Sequence, residues 1–72
     1  MNMTHNWTMR DLAIFFFRAG GYARFAPIRD EGFSPYELAK LGLVTKEIGR
    51  WTDRYFPSGD LKIEIEKLKR DI

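Results

Sequence analysis

Two helix-start signals, at Ser34 and Thr45, stand eleven residues apart with Gly42 between them. This spacing constrains the middle of the chain more tightly than any other feature. In Ser34-Pro35-Tyr36-Glu37, serine takes the cap position and proline the first helical position, where a missing N–H is no loss. Glutamate at the third position completes the pattern of a capping box. A helix over Pro35–Leu41 then ends at Gly42, which can take the left-handed conformation that a sharp turn requires. Thr45 caps the next helix, about Lys46–Tyr55, which Pro57 and Gly59 stop.

The remaining elements are placed by the same rules. Thr8 caps a helix over Met9–Arg18, with Asp11 favourably placed in its first turn and Gly20-Gly21 ending it. In that helix Leu12, Phe15, Phe16 and Ala19 share a face, while Ile14 and Phe17 lie on its flanks. So much apolar content predicts a central helix touched by neighbours on several sides. Gly21–Gly32, with Pro27 and the charged turn Arg29-Asp30-Glu31-Gly32, reads mostly as loop. Its Tyr22–Phe25 portion fits a helical turn or a short extended piece equally well. Residues 60–72 carry both an alternating pattern (Leu61, Ile63, Ile65) and a longer helical stripe (Leu61, Ile65, Leu68, Ile72). The helical template, with i,i+4 pairs Lys62–Glu66 and Glu66–Arg70, covers more residues, and it leaves Ile63 on the wrong face.

The expected fold is therefore all-α: one domain over residues 1–72, with four helices and a frayed, disordered stretch at residues 1–6. Seventy-two residues bury only about 60% of their unfolded surface, and without cysteine no disulfide can help. Eleven aromatics are expected to supply the core instead.

Several function classes are excluded at this level. The longest apolar run, Leu12–Phe17, falls far short of the ~20 residues that cross a bilayer, and the first residues lack the pattern of a signal peptide. No membrane association is expected, and the absence of cysteine fits the cytoplasm. The single histidine, His5, has no nucleophile or orienting group at a useful spacing, and Ser34 and Ser58 serve as cap and turn residues. The chain is therefore not expected to be an enzyme, nor to hold a metal or cofactor. Net charge is only +2, but it is unevenly spread: +3 over residues 8–29, −3 over 30–37, +2 over 40–54 and zero over 60–72.

The positive segment at 40–54 carries the functional expectation. On a helix, Val44, Ile48, Trp51 and Tyr55 fall within an arc of about 60°, and the opposite arc holds Lys46, Gly49, Arg50, Asp53 and Arg54. One face would pack while the other meets phosphates and base edges. Glu-Leu-Ala-Lys-Leu-Gly, a short turn, Thr and an Ile-containing helix resemble the helix-turn-helix of small bacterial and phage DNA-binding proteins, over residues 34–55. Ala39 takes the place of that family's small residue, Gly42 that of its turn glycine and Thr45 that of the residue opening the recognition helix. Two residues separate Ala39 from Gly42 where the family has three.

The resemblance implies a double-stranded DNA partner and a role as a transcriptional or recombination accessory factor. Lys46, Arg50 and Arg54 would meet the major groove or its phosphates, Thr45 would add a contact at the helix start, and Arg29 and Lys40 would touch flanking phosphates. The alternative is a non-enzymatic protein-interaction module of the phage accessory or inhibitor type. It would use the surplus apolar surface of the first helix, with Ile14 and Phe17 at a homodimer or partner interface.

Overall fold

The computed structural model describes residues 7–71. The first six residues, with His5, and Ile72 lie outside the described region. Along the chain run α1 (Met9–Arg18), β1 (Ala23–Arg24), α2 (Phe25–Asp30), α3 (Pro35–Lys40), β2 (Val44–Glu47), β3 (Arg54–Pro57) and α4 (Gly59–Asp71). The three strands form an antiparallel sheet in the order β1-β3-β2. The all-α expectation is thus overturned: the fold mixes helices with a small sheet.

Three of the four expected helices form, and local chemistry explains their limits. The Thr8 hydroxyl oxygen accepts from the Asp11 amide at 3.1 Å, and the Asp11 carboxylate accepts from the Thr8 amide at the same distance, a full capping box. At α3 the Ser34 hydroxyl oxygen accepts from the Glu37 amide at 3.3 Å, with Pro35 in the first turn. The end of α3 is closed by the Gly42 amide donating to the Ala39 carbonyl and the Leu43 amide donating to Leu38, at 3.1 and 2.9 Å. This paired closure needs a left-handed residue, and Gly42 supplies it with φ of 76°. In α4 the stripe Leu61, Ile65 and Leu68 is buried and Ile63 is exposed, as the helical template requires. Its ion pairs differ from expectation: Lys67 meets Glu64 at 3.9 Å and Lys69 meets Glu66 at 3.6 Å, both at i,i+3 spacing.

Two segments depart from expectation. Residues 25–30 form α2 rather than loop. Pro27 is its third residue, inside the first turn, where its missing N–H has no partner to lose. Residues 44–57 form a β-hairpin rather than a helix. Of the four residues expected to pack together, Val44 and Tyr55 are buried, but Ile48 and Trp51 are 81% and 90% exposed. Tyr55 is the reason. It lies opposite Ala23 on one side and Lys46 on the other, and its ring fills the core at 2% exposure, which an extended Arg54-Tyr55-Phe56 allows while α2 and α3 stand against the sheet. Pro57 is tolerated in the central strand because β1 reaches only Tyr55 and Arg54. The Ser58 amide then donates to the Leu43 carbonyl at 2.9 Å in its place.

One core joins these parts. Leu12, Ala13 and Phe16 of α1 meet Leu61, Ile65 and Leu68 of α4, and Ile28, Leu38, Leu43, Val44 and Tyr55 continue the cluster beneath the sheet. The buried face of α1 is therefore Leu12-Ala13-Phe16. Phe15 and Ile14 are half-buried against it, while Ala19 is exposed.

Gly42→Val should destabilise the protein by about 1–3 kcal/mol, because a β-branched residue resists the left-handed region. Ser34→Ala should cost about 1 kcal/mol. The hairpin makes a sharper prediction. Tyr55→Ala should cost about 3–5 kcal/mol through loss of a large core side chain, whereas Trp51→Ala should fall within about 0.5 kcal/mol of the parent. Urea melts check both. A helix over 46–55 would instead make Trp51→Ala the damaging change.

Candidate nucleic-acid interface

Over residues 34–55, where the resemblance places a helix-turn-helix, α3 is followed by a β-hairpin and no second helix forms. α2 and α3 are joined by four residues, Glu31-Gly32-Phe33-Ser34, a short glycine-containing turn. The Gly32 amide donates to the Arg29 carbonyl at 2.9 Å and the Phe33 amide to Ile28 at 3.2 Å, which closes α2 as Gly42 and Leu43 close α3. Phe33 is carried inward by this closure and packs against Trp7 and Phe15, ring centroids 5.7 and 5.5 Å away. Pro35 and Leu38 anchor α3 to the core. Its outward face, at i, i+3 and i+4 spacing, carries Tyr36, Ala39 and Lys40, all exposed.

An aromatic and cationic strip runs from this pair of helices onto the hairpin. The Arg29 guanidinium lies over the Phe25 ring at 5.9 Å, and Phe25 meets Tyr36 at 5.4 Å in an edge-on contact. Beyond Tyr36 comes Lys46, whose ammonium contacts Asp53 at 3.2 Å. Hydrogen bonding to Asp53, then that carboxylate's charge, holds Lys46 above the ordinary lysine range, with smaller contributions from Tyr55 and Tyr36. A raised lysine stays cationic across the neutral range. Whatever stability its pairing contributes is present there and is lost only as pH rises through the folded-state value.

The pleat divides the other expected contacts. Lys46 shares a sheet face with Val44 and Tyr55, while Thr45, Glu47, Arg54 and Arg24 point to the opposite face. There Arg54 pairs with Glu47 at 3.3 Å and lies over the Tyr22 ring at 5.8 Å, and Tyr22 stacks on Phe56 at 5.4 Å. Arg24 stands directly across from Arg54, so Glu47 offsets a like-charge pair. Arg54 is thus engaged across the sheet, and it and Thr45 are separated from the strip. Arg50 sits in the connection between the strands, with its guanidinium 5.9 Å from the Trp51 ring centre. Among the described residues Arg29, Lys40 and Arg50 have no ion pair.

The structure thus brings together Arg29, Lys40 and Lys46 beside Tyr36 and adds Arg50 on the projecting hairpin. Sequence reasoning missed Tyr36 and Trp51, the first because it follows a capping proline and the second because helical periodicity assigned it to the core. Gly49 also finds its reason here. A Cβ at that position would run into the Thr52 carbonyl oxygen, so the chain's own backbone, not a partner's, demands glycine.

Two grooves open on the surface, the first beside Arg29 and the second away from the strip. The larger, about 950 Å³, lies between α1 and the α2–α3 turn and gathers the acidic Asp11, Glu31 and Glu37 with Arg18 and Arg29. The smaller, about 540 Å³, is floored by Phe17, Phe56, Pro57 and Ile65 and edged by Lys62 and Lys69. Ile14 lines the first and Phe17 the second, so the two flanks of α1 open onto different surfaces. Among the described residues no cluster of His, Cys, Asp or Glu could hold a metal ion, and no helix is long and apolar enough to cross a membrane. No known protein family matches the chain, and neither curated proteins nor solved structures show significant similarity to it.

Proposed function

We propose that this is a non-enzymatic DNA-binding protein that acts in the cytoplasm on double-stranded DNA. The observation that carries the reading is the α2–turn–α3 pair, which carries Arg29 and Lys40, with Lys46, ion-paired to Asp53, and Arg50 on the hairpin that follows. A B-form major groove about 12 Å wide admits a single helix. Six residues span only about 9 Å, so α3 offers few base contacts. Ala39 suits a thymine methyl, Lys40 a guanine edge, and the Tyr36 hydroxyl a phosphate or base edge. Arg29, Lys46 and Arg50 then serve phosphates on either side, which fixes the helix in register without specifying sequence. The proposal includes the role that the sequence resemblance implies, a transcriptional or recombination accessory factor.

The rival reading, a protein-interaction module, has its own observation. Phe17 and Tyr22 are each 37% exposed, Phe17 and Phe56 line the smaller groove, and Tyr22 stacks on Phe56. The two readings differ in salt dependence: DNA binding weakens steeply as salt rises, and an apolar protein interface does not.

Titration of a random-sequence duplex at two salt concentrations is the test. Neutralising about three or four phosphates should give a log–log slope near −3. Lys40→Ala and Arg50→Ala should each reduce that slope by about one and leave the melting temperature unchanged, since both residues are exposed. Arg54→Ala, on the opposite sheet face, should leave the slope unchanged. Absence of binding at low salt and micromolar protein would remove the DNA reading and favour the aromatic face as a protein interface.

A further inference from the structure

The most exposed large apolar side chain in the described structure stands at the tip of the hairpin. β2 ends at Glu47 and β3 begins at Arg54, leaving a connection over residues 48–53. Within it Trp51 is 90% exposed and Ile48 81%. Neither contributes to the core. Single exposed apolar residues are common on protein surfaces, but a tryptophan at this position forgoes the largest burial any side chain can offer.

The connection is bracketed at its base. Two cross-strand ion pairs, Lys46–Asp53 at 3.2 Å and Glu47–Arg54 at 3.3 Å, close the base of the connection. The glycine-only approach of Gly49 to the Thr52 carbonyl oxygen tightens it from within. The indole is therefore presented on a short connection bracketed by two ion pairs. The Arg50 guanidinium lies over one face of the ring, 5.9 Å from its centre, and leaves the other face open; Lys46 offsets the charge of Asp53, so the tip has a positive balance.

A flat π surface beside an unpaired cation matches one ligand chemistry particularly well: a nucleobase attached to a phosphate. Bases stack on aromatic side chains whatever their identity, and arginine adds a cation–π contribution. Within a continuous duplex, however, base faces are already stacked on one another. Only a base that is unpaired, bulged or flipped offers a face to an indole at the end of a hairpin.

We propose that Trp51, with Arg50 beside it, is a stacking site for an unpaired nucleobase, so that the protein prefers duplex DNA interrupted by unpaired bases to continuous duplex. This rests on the DNA-binding reading above and adds to it the kind of DNA that is recognised. α3 and the strip would hold the paired part while the hairpin tip takes the exposed base.

The chain has two tryptophans, so Trp7→Phe leaves Trp51 as the sole indole reporter. That variant is titrated at low salt with a fully paired duplex and with the same duplex carrying an unpaired bulge at its centre. The expected result is quenching of Trp51 emission by the bulged duplex only, with binding roughly 5- to 150-fold tighter than to the paired one. In the otherwise unchanged protein, Trp51→Ala should erase this preference and keep affinity for paired duplex within about twofold, while Trp51→Phe should retain most of it. Equal affinity for the two DNAs with unchanged Trp51 emission overturns the stacking site while leaving duplex binding intact. Failure to bind either DNA overturns the stacking site together with the reading it rests on. A blue shift of Trp51 on anionic phospholipid vesicles, with no response to bulged DNA, also overturns it and makes the tip a membrane contact.

Discussion

The reversal at Gly42 is the constraint on which the rest of the architecture depends. Its left-handed conformation turns the chain from α3 into β2 and leaves its carbonyl facing the far end of the hairpin. That carbonyl accepts from the Ser58 hydroxyl at 3.1 Å, while the Leu43 carbonyl accepts from the Ser58 amide at 2.9 Å. Gly59 approaches so closely that a Cβ there would lie 2.8 Å from the Gly42 oxygen. The end of α3, the start of β2, the end of β3 and the start of α4 therefore meet at one backbone junction. From it α4 sets out to lay Leu61, Ile65 and Leu68 into the core shared with α1, and the hairpin is held beside the exposed face of α3.

Helix ends were legible in the sequence because their chemistry is local. Thr8 with Asp11, Ser34 with Pro35, and Gly42 each act within one turn of the chain, so the limits of α1 and α3 follow from neighbours in sequence. The hairpin was not legible for the opposite reason. Val44, Ile48, Trp51 and Tyr55 satisfy a helical period, and nothing nearby in sequence says that Tyr55 will pair with Ala23, which lies more than thirty residues away. Tertiary pairing decided between two locally acceptable patterns. Pro57 and Gly59, which resemble helix stops, mark instead the end of a strand and a close backbone crossing. α2 was hidden by Pro27, whose position in the first turn makes it harmless.

The candidate site was legible in composition but not in geometry. The positive segment at 40–54 runs from the last residue of α3 through the hairpin, and Lys40, Lys46 and Arg50 remain candidates along it. A helix would have placed Lys46, Arg50 and Arg54 on one face, but strand alternation sends Lys46 and Arg54 to opposite sides. Arg54 is then occupied by Glu47 and Tyr22. Arg29, expected on a loop, is instead carried by α2 and held over Phe25, which links it to Tyr36. The helix-turn-helix expected over residues 34–55 is therefore not formed: the hairpin stands where its second helix was expected, and the two short helices joined by a turn are α2 and α3.

Titration of the isotopically labelled protein with a random duplex, followed through backbone amide chemical shifts, tests the account most directly. The account predicts that shifts concentrate at Tyr36, Ala39 and Lys40 of α3 and at residues 46–51 of the hairpin, with α4 unmoved, and that they diminish as salt is raised. Shifts confined to Phe17, Tyr22 and Phe56, or no shifts at low salt, would contradict it.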